Sequence, residues 1–376
     1  MPTDRRSFLA GAGLAAGLSA LPLNGLNAAS AAAAVEPDFG PKIGQALLSR
    51  NENPYGPAPS ALRAIAETAK MGCYYNDRGH AKLTAMIAEK FQVSPAQVVI
   101  GEGSTEVLCA AALAWGRKGA ILCPDLFWDT TVLYGERQGV KSIRVPMTSS
   151  MGVDLPAMAA ALDDSVSMVQ ICNPNNPTGI LIPSADLRAF AAKVTPKATL
   201  LVDEAYNELT DQPEDNTMID LVRAGGNVIV CRTFSKIYGM AGLRVGCAIA
   251  SEENAALIRS HQMSFGGNLG GLAAAIASFN DTPFLEQSRA AVLEARQMIN
   301  AAVAKSGLKA LPSQTNFVFV MVPDANALRD AMASRGIAIR GAYGSLNGYS
   351  RVSTGKLDDV ARYTAALPEL SAQLWG

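Results

Sequence analysis

Two apolar runs, Val228 to Cys231 and Val245 to Ala250, bracket the stretch C-R-T-F-S-K-I-Y-G-M-A-G-L-R-V-G from Cys231 to Gly246. Both runs are too short for helices and rich in β-branched residues, so each predicts a buried strand. The loop between them carries Lys236 beside Ser235, Tyr238 and Gly239, with Arg244 shortly after. A lysine fixed between two core strands is poorly placed to serve only solubility. Partly desolvated, its amine would have a lowered pKa, which suits covalent chemistry with a carbonyl compound. The plainer alternative is a lysine that snorkels from a strand end into water.

The 376 residues exceed what one small core organises, so one large domain or two unequal ones is expected. The net charge of -1, from 32 basic and 33 acidic residues, leaves no basic excess to hold nucleic acid. The two histidines, His80 and His261, stand far apart in sequence and offer little to a metal site or a Ser/His/Asp triad.

The amino terminus has a different character. Asp4-Arg5-Arg6-Ser7-Phe8-Leu9 precedes a weakly apolar Gly/Ala/Leu stretch to about Leu23, then small residues through Ala34. That order of n-region, h-region and A-x-A-like zone resembles a twin-arginine export signal. The apolar part is short of the ~20 residues a membrane-spanning helix needs, so no stable membrane anchor is expected. The expectation is a periplasmic protein, exported folded, whose mature chain starts near residues 29–35. Six cysteines would permit disulfides after export. Cys123, Cys172, Cys231 and Cys247 instead sit in or beside strand-like apolar runs and read as small buried thiols.

From Val98 onward strand and helix patterns alternate. Val98 to Ile100, Ile121–Leu122, Ser142 to Val145, Met168 to Ile171, Leu200 to Val202 and Val228 to Val230 read as strands. Thr105 to Trp115 and Ser184 to Lys193 read as helices. Ser60 to Ala69 reads as an earlier helix with Ser60 as its cap. Alternation implies an α/β fold, a mostly parallel sheet sandwiched by helices, with ligand beyond the carboxyl ends of the strands. After Ala250 come a helix over about Glu252 to Gln262 and a glycine-rich break at Gly266 to Gly271. A long helix from about Phe284 to Ser306 follows, then short strands in a smaller α+β unit. The expected organisation is a signal at 1–34, an arm with part of the small domain at 35–69, a large domain at 70–265, and a linking helix with the small domain at 266–376.

Four strand ends carry chemistry. Gly103-Ser104-Thr105 turns into a helix whose N-terminal N–H groups suit phosphate, although Ser and Thr are also ordinary caps. Asn173-Pro174-Asn175-Asn176-Pro177-Thr178-Gly179 is a rigid loop presenting an amide. Val202-Asp203-Glu204-Ala205-Tyr206 offers a carboxylate and a phenol. Thr233, Ser235, Lys236 and Arg244 add hydroxyls, an amine and a guanidinium. Phosphate donors, an aspartate, a tyrosine, an asparagine and a lysine together describe a pocket for pyridoxal 5′-phosphate, with the aspartate keeping the pyridine nitrogen protonated.

N-P-N-N-P-T-G, V-D-E-A-Y and R-T-F-S-K-x-Y-G-x-A-G-L-R-x-G, in this order, resemble the fold-type I pyridoxal-phosphate aminotransferases. N-E-N-P-Y-G-P and G-E-G-S-T-E-V-L resemble the histidinol-phosphate aminotransferase branch. The resemblance covers about Leu48 to Gly355 and implies a seven-stranded sheet with a smaller C-terminal domain. It implies that Lys236 is the Schiff-base lysine, Asp203 the pyridinium partner, and Asn176 with Tyr206 the pair on the ring hydroxyl. Ser104, Thr105, Thr233, Ser235 and Arg244 match the phosphate cradle. Tyr55 matches a tyrosine reaching the neighbouring subunit's phosphate, which implies a homodimer. Arg351 matches the clamp on the substrate α-carboxylate, with Asn53 close by and Arg340 the next candidate. The aromatic stacked on the ring lies among Leu126, Phe127 and Trp128, with Trp128 preferred. The implied reaction is ping-pong transfer of an amino group between an L-amino acid and a 2-oxo acid. A decarboxylase or lyase on the same scaffold, or an exported binder of amino acids or vitamin B6, are the other readings.

Overall fold

The computed structural model describes residues 37–376, so the twin-arginine stretch with Arg5 and Arg6 lies outside the described residues. The chain divides into Met1–Ile43 and Gly44–Gly376. In the first unit, residues 37–43 carry no helix or strand.

The second unit carries β1 (Ala46–Leu47), β2 (Val98–Glu102), β3 (Ala120–Pro124), β4 (Ser142–Val145), β5 (Val166–Cys172) and β6 (Thr199–Asp203). These are followed by β7 (Val228–Thr233), β8 (Val245–Ala250), β9 (Lys309–Ala310), β10 (Phe317–Met321), β11 (Ile337–Ala338) and β12 (Tyr349–Ser353). Seven of them form one sheet in the order β2-β8-β7-β6-β5-β3-β4. Its strands are parallel except β8, which runs antiparallel to both β2 and β7. The reason is local: no crossover helix separates β7 from β8, only the irregular segment holding Lys236, and such strands pair antiparallel. β6, β7 and β8 are buried along their whole length, as continuous apolar runs covered on both faces should be.

Two smaller sheets, β12-β10-β9 and β1-β11, belong to a separate hydrophobic cluster. That cluster gathers Ala46 and Leu48 with Val318, Val320, Leu328 and Tyr363. The helix Thr282–Lys305 serves both cores: Phe284 and Val292 pack in the large one, Ala295 and Ile299 in the small one.

Three elements differ from the sequence expectation. The helix at Ser60 is Pro59–Thr68, capped by Ala58, with proline at its start. The Ser60 hydroxyl instead donates to Asp281 Oδ2 at 2.6 Å, and Asp281 caps the long helix. A helix that the sequence patterns do not mark runs over Asp77–Phe91. The glycine-rich break contains the start of the helix Leu269–Ser278, capped by Asn268. Gly271 is there for close approach, since a Cβ would collide with the Leu243 carbonyl. The six cysteines are unpaired, and Cys123, Cys172, Cys231 and Cys247 are buried. Among the described residues no helix is long and apolar enough to cross a membrane.

Candidate active site

The carboxyl ends of β3, β5, β6 and β7 open into a cavity of about 720 Å³, within the ~300–1,000 Å³ usual for a small-molecule site. Ser104, Thr105, Phe127, Trp128, Asn176, Asp203, Tyr206, Thr233, Ser235, Lys236, Arg244, Arg340 and Arg351 all line it.

At one end lies an anion cradle. The helix Gly103–Gly116 opens there with no side-chain cap on its N-terminus, and N–H groups at a helix start suit an anion. Arg244 Nη1 lies 3.4 Å from Ser235 Oγ, and Nη2 lies 3.4 Å from Thr105 Oγ1. Thr233 Oγ1 donates to Ser235 Oγ at 3.0 Å. Arg244 itself sits at φ +51°, a strained conformation for a residue with a side chain. Gly103 at φ +69° leaves no room for a Cβ, which would overlap the Arg244 guanidinium, and a Cβ on Gly246 would overlap the Ser104 amide. These two glycines let the helix start, the arginine and β8 converge.

In the middle, Asp203 ends β6 and is 4% exposed. Its Oδ1 accepts only the Ala205 N–H at 3.2 Å, among the described residues. Burial pushes its carboxyl up to about 7, against the opposing pull of the Ala205 N–H and the Lys236 charge. A buried carboxylate this poorly matched is suited to a cationic ligand atom. Tyr206 Oη accepts from Asn176 Nδ2 at 3.1 Å and Asn51 Nδ2 at 3.3 Å, and burial raises its pKa. The half-buried Lys236 side chain donates from Nζ to the Asn51 carbonyl at 3.2 Å. Desolvation, then the charge of Arg351, lowers its pKa to about 8, the direction a nucleophilic amine needs.

At the far end Arg351 is buried, with Nη1 on Asn176 Oδ1 at 2.6 Å and Nη2 on the Ser49 carbonyl at 2.9 Å. Its Nε has no partner among the described residues. Phe317 and Tyr343 rings lie 5.3 and 5.7 Å from the guanidinium carbon.

Other expected residues fall elsewhere. Asn53 does not line the cavity: its Nδ2 donates to the Ile237 carbonyl at 2.8 Å and Ser288 Oγ at 3.1 Å, tying the arm to the lysine loop. Tyr55, expected to reach a neighbouring subunit's phosphate and not its own chain's cavity, has a hydroxyl that accepts from the Leu357 N–H at 3.0 Å. Leu126 offers its carbonyl to Asn175, so Phe127 and Trp128 remain as wall aromatics. The residue that sequence reasoning passed over is Asn51. Its signal was available: asparagine tolerates positive φ, and Asn51 sits at +58°.

A helix-start phosphate cradle, a buried aspartate held by one backbone N–H among the described residues, a phenol with an amide, and a half-buried lysine of lowered pKa define a pyridoxal-phosphate site on a fold-type I scaffold. The residues present fit that cofactor at both its phosphate and its pyridine nitrogen. The chain belongs to the aminotransferase class I and II family, whose model matches residues 43–367. It is 36% identical over 334 residues to histidinol-phosphate aminotransferase 2 of Ralstonia nicotianae, spanning 87% of this chain and 88% of that one. It is 37% identical over 326 residues to histidinol-phosphate aminotransferase 1 of Dechloromonas aromatica, spanning 85% and 88%. The crystal structure of histidinol-phosphate aminotransferase from Sinorhizobium meliloti, in complex with pyridoxal 5′-phosphate, superposes with a TM-score of 0.80 at 32% identity, covering 87% of this chain and 91% of that one. The protein is thus a pyridoxal-phosphate-dependent aminotransferase that passes an amino group between an amino acid and a 2-oxo acid.

Proposed function

We propose that Lys236, Asp203 and Tyr206 carry the chemistry and that Arg351 selects substrates by an anionic group at the reacting carbon. The bound cofactor supplies an electron-accepting pyridine ring. The cradle of Ser104, Thr105, Thr233, Ser235 and Arg244 holds its phosphate, Asp203 holds a proton on its ring nitrogen, and Asn176 with Tyr206 orients its ring oxygen. Phe127 and Trp128 wall the ring. The Lys236 amine takes a proton from the substrate carbon and returns it one position away, as general base and then acid.

The observation that carries the substrate reading is the buried Arg351 guanidinium, whose Nε has no partner among the described residues. A buried charge so placed gains most from a carboxylate accepting two parallel hydrogen bonds. Arg351→Ala is expected to keep cofactor and colour, while kcat/KM for amino acids falls by about 10² or more, each lost charged hydrogen bond costing about 1.5–3 kcal/mol. Arg351→Lys should recover only part of it. Near-normal activity of Arg351→Ala would reassign the clamp to Arg340.

One feature favours a second substrate reading. Arg340 and Arg351 approach the same Tyr343 ring, at 5.2 and 5.7 Å from its centroid. Two guanidiniums suit a dianionic phosphate, and histidinol phosphate, the compound in the relatives' names, carries a phosphate ester and no carboxylate at that carbon. Assaying histidinol phosphate beside a panel of amino acids separates the two.

The assembly reading is a homodimer. Tyr74, Tyr75, Met263 and Phe265 are exposed, and the Tyr75 and Phe265 rings lie 5.0 Å apart, an apolar patch that pairing of two copies would cover. The location reading is the periplasm, reached folded by the twin-arginine route, and it rests on Asp4-Arg5-Arg6-Ser7-Phe8-Leu9. Arg5→Lys with Arg6→Lys should leave the protein in the cytoplasm, folded and holding cofactor. Fractionation giving unchanged periplasmic amounts would sink that route.

A further inference from the structure

We propose that Asn51 is a positioning residue that holds Lys236 and Tyr206 in register and ties both to the strand bearing Arg351. Asn51 is 2% exposed, stands at φ +58°, and uses every polar group it has. Its carbonyl accepts from Lys236 Nζ at 3.2 Å and from Asn316 Nδ2 at 2.9 Å. Its Nδ2 donates to Tyr206 Oη at 3.3 Å. Its N–H donates to Ser353 Oγ at 2.9 Å, and that hydroxyl donates back to Asn51 Oδ1 at 2.6 Å. A left-handed residue held from so many sides is over-determined, the situation in which backbone strain persists at working sites.

The links run in two directions. Among the described residues, the one hydrogen bond made by Lys236 Nζ goes to Asn51. Ser353 and Arg351 stand two apart on β12 and so share a face of the strand. Arg351 grips the Ser49 carbonyl at 2.9 Å while Ser353 grips Asn51. A substrate anion that engages Arg351 therefore pulls on the same short segment, residues 49–51, whose other end steadies the amine. Asn51 thus connects the group that recognises substrate with the group that moves its proton.

The inference rests on the assignment of Lys236 as the reactive amine, and its test separates the two. Asn51→Gly retains the positive φ and the carbonyl but removes every side-chain link. In the cofactor-free protein, the rate at which an acylating reagent labels Lys236 is followed against pH by peptide mass spectrometry. Arg351, Glu52, Asp203 and Arg244 are the charges acting on Lys236, and they are unchanged by the substitution. The wild-type midpoint is expected near pH 8. Asn51→Gly should lower it by about half a pH unit or more, because an acceptor no longer held in place stabilises the ammonium less. In the loaded enzyme kcat should fall about tenfold with KM for the amino donor nearly unchanged. Ser353→Ala, which cuts the same link from the other side, should move both readouts in the same direction, and its effect should not add to that of Asn51→Gly. Should Asn51→Gly not fold, Ser353→Ala carries the test. A midpoint that stays or rises, or additive effects, would overturn the proposal, including where only thermal stability drops. Borohydride labelling of the loaded wild type guards the premise: a label on another lysine removes the premise, whereas a label on Lys236 with an unmoved midpoint removes only the role of Asn51.

Discussion

Lys236→Ala is expected to abolish amino transfer, by about 10⁴-fold or more, because the covalent anchor and the general base disappear together. The dimension that makes this a test of assignment is labelling. Borohydride reduction of the loaded wild type followed by peptide mapping should mark Lys236, and the variant should take no label. A label on Lys193 or Lys197 would move the chemistry elsewhere. The fold should survive, since Lys236 borders the cavity and its Nζ makes one hydrogen bond among the described residues. Its charge is in fact a burden on the cofactor-free fold. The folded pKa is lowered from 10.5 to about 8, so between those values the unfolded chain holds a proton that the folded chain has released. Stability therefore rises as pH climbs from 8 to 10.5. Lys236→Met should be more stable than the wild type below pH 8, with the gap closing above it, in thermal melts of cofactor-free protein. A gap independent of pH would contradict a desolvated amine.

Asp203→Asn is expected to lower kcat by about 10²–10³, the usual cost of removing one preorganised electrostatic group at the reacting centre. The side chain keeps its shape, so the loss reports charge. Asp203 is buried at the end of β6, Lys236 is the one cation acting on it among the described residues, and burial lifts its pKa to about 7. In the cofactor-free protein, the folded chain thus holds a proton between pH 3.8 and 7 that the unfolded chain has lost. Its stability falls as pH rises through that window, and Asp203→Asn should flatten that slope. A protonated ring nitrogen reverses the balance by giving the carboxylate a partner. Cofactor should then stabilise the wild type more than the variant at pH 7, read as the shift in melting temperature on loading. Equal shifts would mean that Asp203 does not meet the ring nitrogen.

Much of this site was legible in the order of residues. Asn176, Asp203, Ser235 and Lys236 each follow or end an apolar run, and a run of that length with β-branched residues reads as a buried strand. Parallel strands place such ends on one edge of a sheet, so the convergence of Asp203 at the end of β6 with Lys236 after β7 follows from periodicity and topology alone. Gly103 and Gly246 were visible as glycines, while their purpose, the close packing of Arg244 and the Ser104 amide, was not.

What only the tertiary structure decided concerns residues whose neighbours lie far off in the chain. N-E-N-P-Y offered two asparagines and a tyrosine with equal local claims. Asn51 took the site because Ser353 and Tyr206 flank it there, and Asn53 was drawn to Ile237 and Ser288. The helix Leu269–Ser278 escaped notice because Gly270 and Gly271 read locally as a break, whereas the Asn268 cap and the approach to Leu243 make glycine fit a helix. Sequence determined the strands, the loops between them and the kinds of groups they carry, because backbone periodicity and turn chemistry act over a few residues. Which of those groups meet was settled by hydrogen-bond partners up to 302 residues away, a choice that local sequence does not encode.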